Sequence, residues 1–230
     1  MIKHHKNLGD LSNKNVFVVG DIHGEYFRLI RHLYALGFDF EKGNDILLSV
    51  GDLVDRGQYN LETIAMVPNK WFDGVRGNHD DLMIRSIMDG HPRDLWEMNG
   101  GTWARYYDKD CIGSLVQGLI DKLPYTLEFI HHGKKILLSH AAFSNDMTVQ
   151  EVYDPAQIRT LTINRSIHHN GSPAHPDFDY LIHGHTYNEN ICFDNNRIYI
   201  DTGAVFGKSM SFIKFDNKGR ETCESFPLFD

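Results

Sequence analysis

Three segments of the chain share one form: Gly20-Asp21-Ile22-His23-Gly24, Gly51-Asp52-Leu53-Val54-Asp55-Arg56-Gly57 and Gly77-Asn78-His79-Asp80. In each, a glycine precedes a carboxylate or carboxamide, and further polar side chains follow within a few positions. Two more histidines close apolar runs, His140 in "KKILLSHA" and His185 in "YLIHGHT". Asp21, His23, Asp52, Asn78, His140 and His185 together offer oxygen and imidazole donors with no thiolate. That donor set suits a pair of first-row divalent cations such as Mn²⁺ or Fe²⁺, and zinc is compatible. Two ions about 3.5–4 Å apart under a shared carboxylate form the usual two-metal hydrolytic arrangement.

Positioning such a set requires elements that end together. "VFVVG" (16–20) is short, β-branched and aromatic, and closes on glycine, as a buried strand does. "EYFRLIRHLYALGF" follows with Phe27, Ile30, Leu33 and Tyr34 at helical spacing and Gly37 as a C-cap. "NDILLSVGDLVDRG" reads as a strand running into a polar loop, and "NLETIAMV" as a helix. "KWFDGVRGNHDDLMIRSIM" repeats the plan. Alternating strands and helices imply right-handed βαβ units and a parallel sheet. Each motif then lies at the carboxyl end of a strand, where open α/β sheets place ligands.

Residues 92–123 carry mostly helical spacing, broken at "NGG" (99–101). "YTLEFIHHGKKILLSHAAF" reads as a hairpin turning at His132-Gly133. Residues 144–177 read as loop around one short helix. "YLIHGH", "ICFD", "RIYIDTG" and "SMSFIKF" read as short strands of an antiparallel or mixed meander. The expected fold is α/β, with two mixed β-sheets packed as a sandwich flanked by helices. One domain is expected over residues 1–230, with 1–14 a loosely ordered lead-in.

Length and composition fit this. The chain has 230 residues, 41% hydrophobic and 23% charged, which is ordinary for a globular protein. No apolar run approaches membrane-spanning length, and the charged N-terminus lacks the apolar stretch of a signal peptide. Cys111, Cys192 and Cys223 are odd in number and far apart, which points away from a disulfide framework or thiolate zinc site and towards a cytoplasmic location. A formal charge of -8 argues against a nucleic-acid-coating surface.

Each motif also has a simpler reading. Asp21 could cap the helix beginning near Glu25, and "DRG" and "GNHD" are ordinary turn compositions. The three in this order, each at a strand end, leave little room for coincidence.

On "GDIHG", "ILLSVGDLVDRG", "VRGNH", "NGGTW", "LP", "SHA", "NR", "HGHT" and "YIDTGAVFG", the chain resembles the calcineurin-like metallophosphoesterases, in their phosphoprotein phosphatase branch. The resemblance spans nearly the whole chain. It implies a dinuclear site in which Asp21 and His23 hold one metal, Asp52 bridges, and Asn78, His140 and His185 hold the second, with Mn²⁺ the expected ion and Fe or Zn alternatives. It implies a serine/threonine phosphatase, with phosphotyrosine a further substrate, that acts on phosphorylated proteins or peptides by in-line attack of a metal-bridging water or hydroxide. No membrane contact is implied, and oligomeric state is left open.

A departing alkoxide needs a proton. His79 follows Asn78 and is not itself expected to bind metal, so it is the candidate general acid, with Asp55 orienting its ring. Arg56 would grip phosphoryl oxygens with its planar fork. By the resemblance Arg165, in "INRSI", supplies a second arginine. With Asn78 and His79, these two would form the phosphate-binding set. Arg76 admits either a structural ion pair or a substrate contact. His183 is expected to pack or to support the ligands, and His131, His132, His168, His169 and His175 to be solvated.

Glu25 stands where the relatives carry cysteine, and Asp80 where they carry glutamate. Where the relatives carry an acidic residue and a proline beside His140, this chain reads "HAAFS", and Ala142 and Phe143 would alter pocket shape. Gly184-His185-Thr186-Tyr187 lacks the last histidine of the nuclease branch, which favours monoester hydrolysis. A symmetrical dinucleoside tetraphosphate hydrolase is the alternative activity. A catalytically silent scaffold is a third reading, which the intact ligand set and His79 oppose.

Overall fold

Val16, Phe17, Val18 and Val19 are all fully buried, which a strand achieves only when both its faces are covered. The structure, a computed structural model, describes residues 4–149 and 154–228. These four residues lie in β2 (Asn15–Val19), which runs parallel to β3 (Asp45–Ser49), itself parallel to β4 (Phe72–Gly74). Strands β10 (Met210–Phe215) and β11 (Glu221–Phe226) complete a five-stranded sheet in the order β11-β10-β2-β3-β4. The second sheet contains β1 (His5–Asp10), β5 (Thr126–His131), β6 (Lys134–Ser139), β7 (Tyr180–His183), β8 (Cys192–Asp194) and β9 (Arg197–Tyr199), in the order β1-β5-β6-β7-β9-β8.

The side-chain period of two separates the layers. Val16 and Val18 of β2 join Ile46 and Leu48 of β3 against Leu127, Phe129, Ile136, Leu138, Ile182 and Ile198 of the other sheet, forming the seam of the sandwich. Phe17 and Val19 face the opposite way. They pack with α1 (Tyr26–Ala35), α2 (Asn60–Ala65), α3 (Asn78–Ile87) and α5 (Lys109–Lys122) through residues such as Leu29, Leu33, Ile64, Met83 and Val116. A third cluster, Leu137, Phe143, Leu161, Phe178 and Leu181, covers the outer face of the six-stranded sheet beneath α6 (Pro155–Ile163). The two-sheet, helix-flanked α/β architecture expected from the sequence is the one observed.

Local signals explain the helix ends. Gly37 (φ 76°) ends α1 with its N–H donating to Tyr34 at 3.0 Å and the Phe38 N–H to Leu33 at 2.9 Å, the paired bonds of a Schellman turn. The "NGG" break separates α4 (Asp94–Met98) from a 3-10 turn over Gly101–Tyr106. The hairpin turns at His132-Gly133, both at positive φ.

Three expectations are corrected. Residues 5–10 are no loose lead-in but the edge strand β1, parallel to β5, with the His5 ring 3.0 Å from the Thr126 hydroxyl. "HKNLGD" lacks apolar alternation, because the edge position leaves most of these residues half-buried or exposed. The final strands are no single meander. β9 is parallel to β7, and β10 crosses to pair antiparallel with β2 in the other sheet. The 144–177 segment holds a second helix, α7 (Ser166–Asn170).

Candidate active site

Strands β2, β3 and β4 are mutually parallel, as are β6, β7 and β9. Their carboxyl ends deliver Asp21 and His23, Asp52 to Arg56, Asn78 and His79, His140, and His185 to one side of the sandwich. The backbone there is costly. Of the seven non-glycine residues at positive φ among the described residues, five are His23, Asp52, Asp55, Arg56 and His185. Such conformations persist only where the surroundings over-determine them, and they cluster at functional sites. Close packing adds a further constraint. A Cβ on Gly77 would collide with the Asp52 carboxylate, and one on Gly184 with that of Asp21.

Asp52 sits at the centre. Its Oδ2 lies 3.5 Å from His23 Nε2 and its Oδ1 3.3 Å from His140 Nε2, and the latter oxygen accepts the His79 backbone N–H at 3.0 Å. Two potential cation-binding groups share it: His23, Asp52 and His79, and Asp52, His140 and His185. The imidazoles are aimed by backbone carbonyls. His23 Nδ1 bonds Val54 at 2.8 Å, His140 Nδ1 bonds Val50 at 2.8 Å, and His185 Nε2 bonds Ile163 at 3.0 Å. Each ring therefore bonds a carbonyl through one nitrogen and leaves the other for a second partner, the orientation a metal-ligating histidine needs. Asn78 joins them, its Oδ1 3.1 Å from His140 Nε2.

Asp21 belongs to neither group by distance. Both its oxygens accept the His185 N–H at 3.2 Å. Burial, with Asp201 and Asp52 nearby, raises its carboxyl well above the usual range. Burial also disfavours the His140 imidazolium, yet Asp52 and Asp21 raise it to about 10. Burial pushes Asp52 up, but His140, His79 and His23 hold it well below the ordinary carboxylate range. Buried carboxylates that draw a proton onto a neighbouring imidazole form an anionic pocket suited to cations. The donor set fits two divalent ions.

Beside this pocket, His79 Nδ1 lies 2.8 Å from Asp55 Oδ2, and its Nε2 lies 2.9 Å from an Arg56 guanidinium nitrogen. Arg56 also reaches His23 Nε2 at 3.0 Å. Burial raises the Asp55 pKa, opposed by His79, Trp103 and Trp96. The Trp103 indole donates to Asp55 at 2.8 Å, and the Trp96 indole to both its oxygens at 3.0 Å. Arg165 lines the same cavity of about 870 Å³, with one guanidinium N–H 3.4 Å from the His185 carbonyl.

Every residue expected at the site is therefore brought to this end of the sandwich. Other expectations resolve differently. Arg76 is buried, donating to the Leu123 carbonyl at 3.0 Å with Asp81 at 3.6 Å, and is structural. Asp80 accepts the N–H groups of Gly77 and Leu53 at 2.9 and 3.0 Å, tying two motif loops together. Ala142 and Phe143 do not line the cavity, and Phe143 is core. Glu25 precedes α1 without a side-chain cap bond, so nothing in the structure explains it. His183 is buried beside Ser139 at 3.1 Å. His131 and His175 are buried rather than solvated, the His168 ring lies tilted against Tyr199 at 4.2 Å, and His169 lines the cavity.

Asp201, Trp96, Trp103 and Phe206 were not singled out as site residues. Asp201 follows β9 as Asp-Thr-Gly, a strand-end pattern like the others, and its buried carboxylate lines the cavity. Trp103 stands in "NGGTW". Trp96 carries no local signal. Among the described residues the three cysteines are free, and no helix is long and apolar enough to cross a membrane.

The chain is 33% identical over 215 residues to serine/threonine-protein phosphatase 2 of Escherichia coli, covering 87% of this chain and 93% of that protein. It is 25% identical to an asymmetrical bis(5'-nucleosyl)-tetraphosphatase of Bacillus velezensis, covering 93% and 94%. The crystal structure of a candidate diadenosine tetraphosphatase superposes with a TM-score of 0.72 at 21% identity, covering 97% of this chain and 98% of the other. The Bacillus velezensis relative is named asymmetrical, where the sequence suggested a symmetrical alternative. The calcineurin-like phosphoesterase signature matches residues 14–189, most of the chain and every residue expected to hold metal, and the chain belongs to that family.

Proposed function

We propose that the chain is a metal-dependent phosphomonoesterase acting on phosphoserine and phosphothreonine in proteins or peptides, in a cytoplasmic setting. The observation that carries this reading is the Asp55-His79-Arg56 chain beside Asp52, whose two carboxylate oxygens face His23 and His140. In this reading His79 supplies the proton for a leaving alkoxide and Arg56 a cationic fork for phosphoryl oxygens, beside the residues that would hold two cations.

Asp21 and His23 would hold one cation, Asn78, His140 and His185 the other, and Asp52 both. Mn²⁺ is the expected ion, and Fe²⁺ or Zn²⁺ suits the same donors. When bound, the ions offset the phosphate charge and acidify water for in-line attack. The remaining work falls to side chains of this chain. Arg56 and Arg165 clamp the phosphoryl group from two different loops, and Asn78 and His79 complete its binding set. His79 Nε2 faces Arg56, so Arg56 must turn to the phosphoryl group before His79 can deliver a proton from that nitrogen. The donor is then the doubly protonated ring, whose charge Asp55 balances. No covalent enzyme intermediate is required.

A nucleotide-cleaving reading has its own support in Tyr187 and Phe206, exposed aromatic rings lining the cavity that could stack on bases. Steady-state kcat/KM for a phosphoserine peptide and for diadenosine tetraphosphate, in one Mn²⁺-loaded preparation, separates the two. The phosphatase reading expects the peptide to be preferred. Nucleotide cleavage faster by an order of magnitude would overturn it.

A further inference from the structure

The charged side chains of the cavity sort by depth. Four carboxylates line it, Asp21, Asp52, Asp81 and Asp201, and all are buried. Four arginines line it, Arg56, Arg85, Arg159 and Arg165, and all are exposed. The protein carries a formal charge of -8, yet this mouth is cationic.

Arg56 and Arg165 are accounted for at the phosphoryl group. Arg85 and Arg159 are not, and they come from α3 and α6, which do not carry the other two. Arg85 has only a loose contact with Asp81 on its own helix, at 3.9 Å, and its side chain is 54% exposed. Arg159 makes no ion pair among the described residues. Aliphatic side chains line the same cavity, Leu82 on α3, Leu95 on α4 and Ile158 on α6. Contiguous polyphosphate would favour adjacent cations. Arginines from two different helices, in a cavity also lined by aliphatic side chains, match an extended peptide with carboxylates beside its phosphorylated residue.

We infer that Arg85 and Arg159 form a specificity rim that selects phosphopeptides with acidic side chains flanking the phosphoserine or phosphothreonine. The inference rests on the phosphatase reading above and deepens it. Exposed ion pairs each contribute up to about a fivefold preference, and a cationic mouth also raises the encounter rate of anionic substrates.

The test is kcat/KM for three phosphoserine peptides that differ only in flanking Glu, Ala or Lys, read as ratios within one Mn²⁺-loaded preparation. The expected order is Glu, then Ala, then Lys, and the spread should shrink in about 0.5 M NaCl because exposed charges are screened. Arg159→Glu and Arg85→Glu should each lower the Glu-to-Lys ratio by about tenfold or more, since each substitution both removes an attraction and adds a repulsion. Equal rates on all three peptides, or charge-reversal variants with an unchanged ratio, would overturn the rim and leave the phosphatase reading standing. Cleavage of diadenosine tetraphosphate with no hydrolysis of any phosphopeptide would overturn both.

Discussion

The Asp55 carboxylate lies 2.8 Å from His79 Nδ1 with both side chains almost fully buried, and that contact orients the imidazole. Trp96 and Trp103 add indole N–H donors to the same carboxylate, so three groups fix its position. Nδ1 is committed to Asp55, so proton transfer at the mouth of the site falls to Nε2. A side chain held this way on two rings and a carboxylate is pre-set for one role.

His79→Asn should abolish that transfer. Turnover of an alkyl phosphate, a poor leaving group, should fall by about a hundredfold or more. Turnover of p-nitrophenyl phosphate, whose leaving group needs little protonation, should fall far less, with metal content nearly intact. Equal losses on both substrates would refute the general-acid role.

Trp96→Phe removes one buried donor to Asp55. A stability loss of about 1–3 kcal/mol is expected from urea unfolding, because a buried acceptor loses a partner. The ratio of alkyl to nitrophenyl phosphate turnover should drop as well, since Asp55 acts through His79. A variant that loses stability with that ratio unchanged would reduce Trp96 to packing.

Asp52→Asn strikes both potential ligand groups at once. Metal analysis should show affinity reduced by at least about a hundredfold, and activity should vanish with it. Two tightly held metals per chain in this variant would rule out a bridging Asp52.

His175 is buried with its Nδ1 accepting the Asp177 N–H at 3.2 Å, and burial lowers its pKa from 6.5. The folded state then binds fewer protons than the unfolded state below pH about 6.5, so its contribution to stability is present above that pH and is lost as pH falls. The decline in urea midpoint between pH 7.5 and pH 5.5 should be shallower in His175→Phe than in the parent. A steeper decline would reverse the sign assigned to this group.

Much of the frame was legible because its signals are local. "VFVVG" and "DILLS" show buried parallel strands as unbroken apolar runs, and Gly37 marks a helix end through its own backbone freedom. Other parts had no local signal. β1 is held by β5, some 120 residues away, through backbone pairing that leaves little trace in "HKNLGD". His131 and His175 sit in polar stretches, and Phe215 and Phe143 pack against them from distant segments. Trp96 matters through a carboxylate 41 residues earlier, and no periodicity marks that link.

The sequence by itself determined the chemistry on offer: oxygen and imidazole donors without thiolates, each on a glycine-flanked turn at the end of an apolar run. Residue type and strand alternation suffice for that, because both are properties of short segments. Tertiary structure decided how the donors are aimed. The orientation of the His23, His140 and His185 rings depends on carbonyls of Val54, Val50 and Ile163, 31, 90 and 22 residues distant. The sorting of buried carboxylates below exposed arginines likewise exists only once α3, α6 and the strand ends enclose one cavity. A hydrogen bond has a direction and a charge has a depth, and neither is defined until the chain has folded around it.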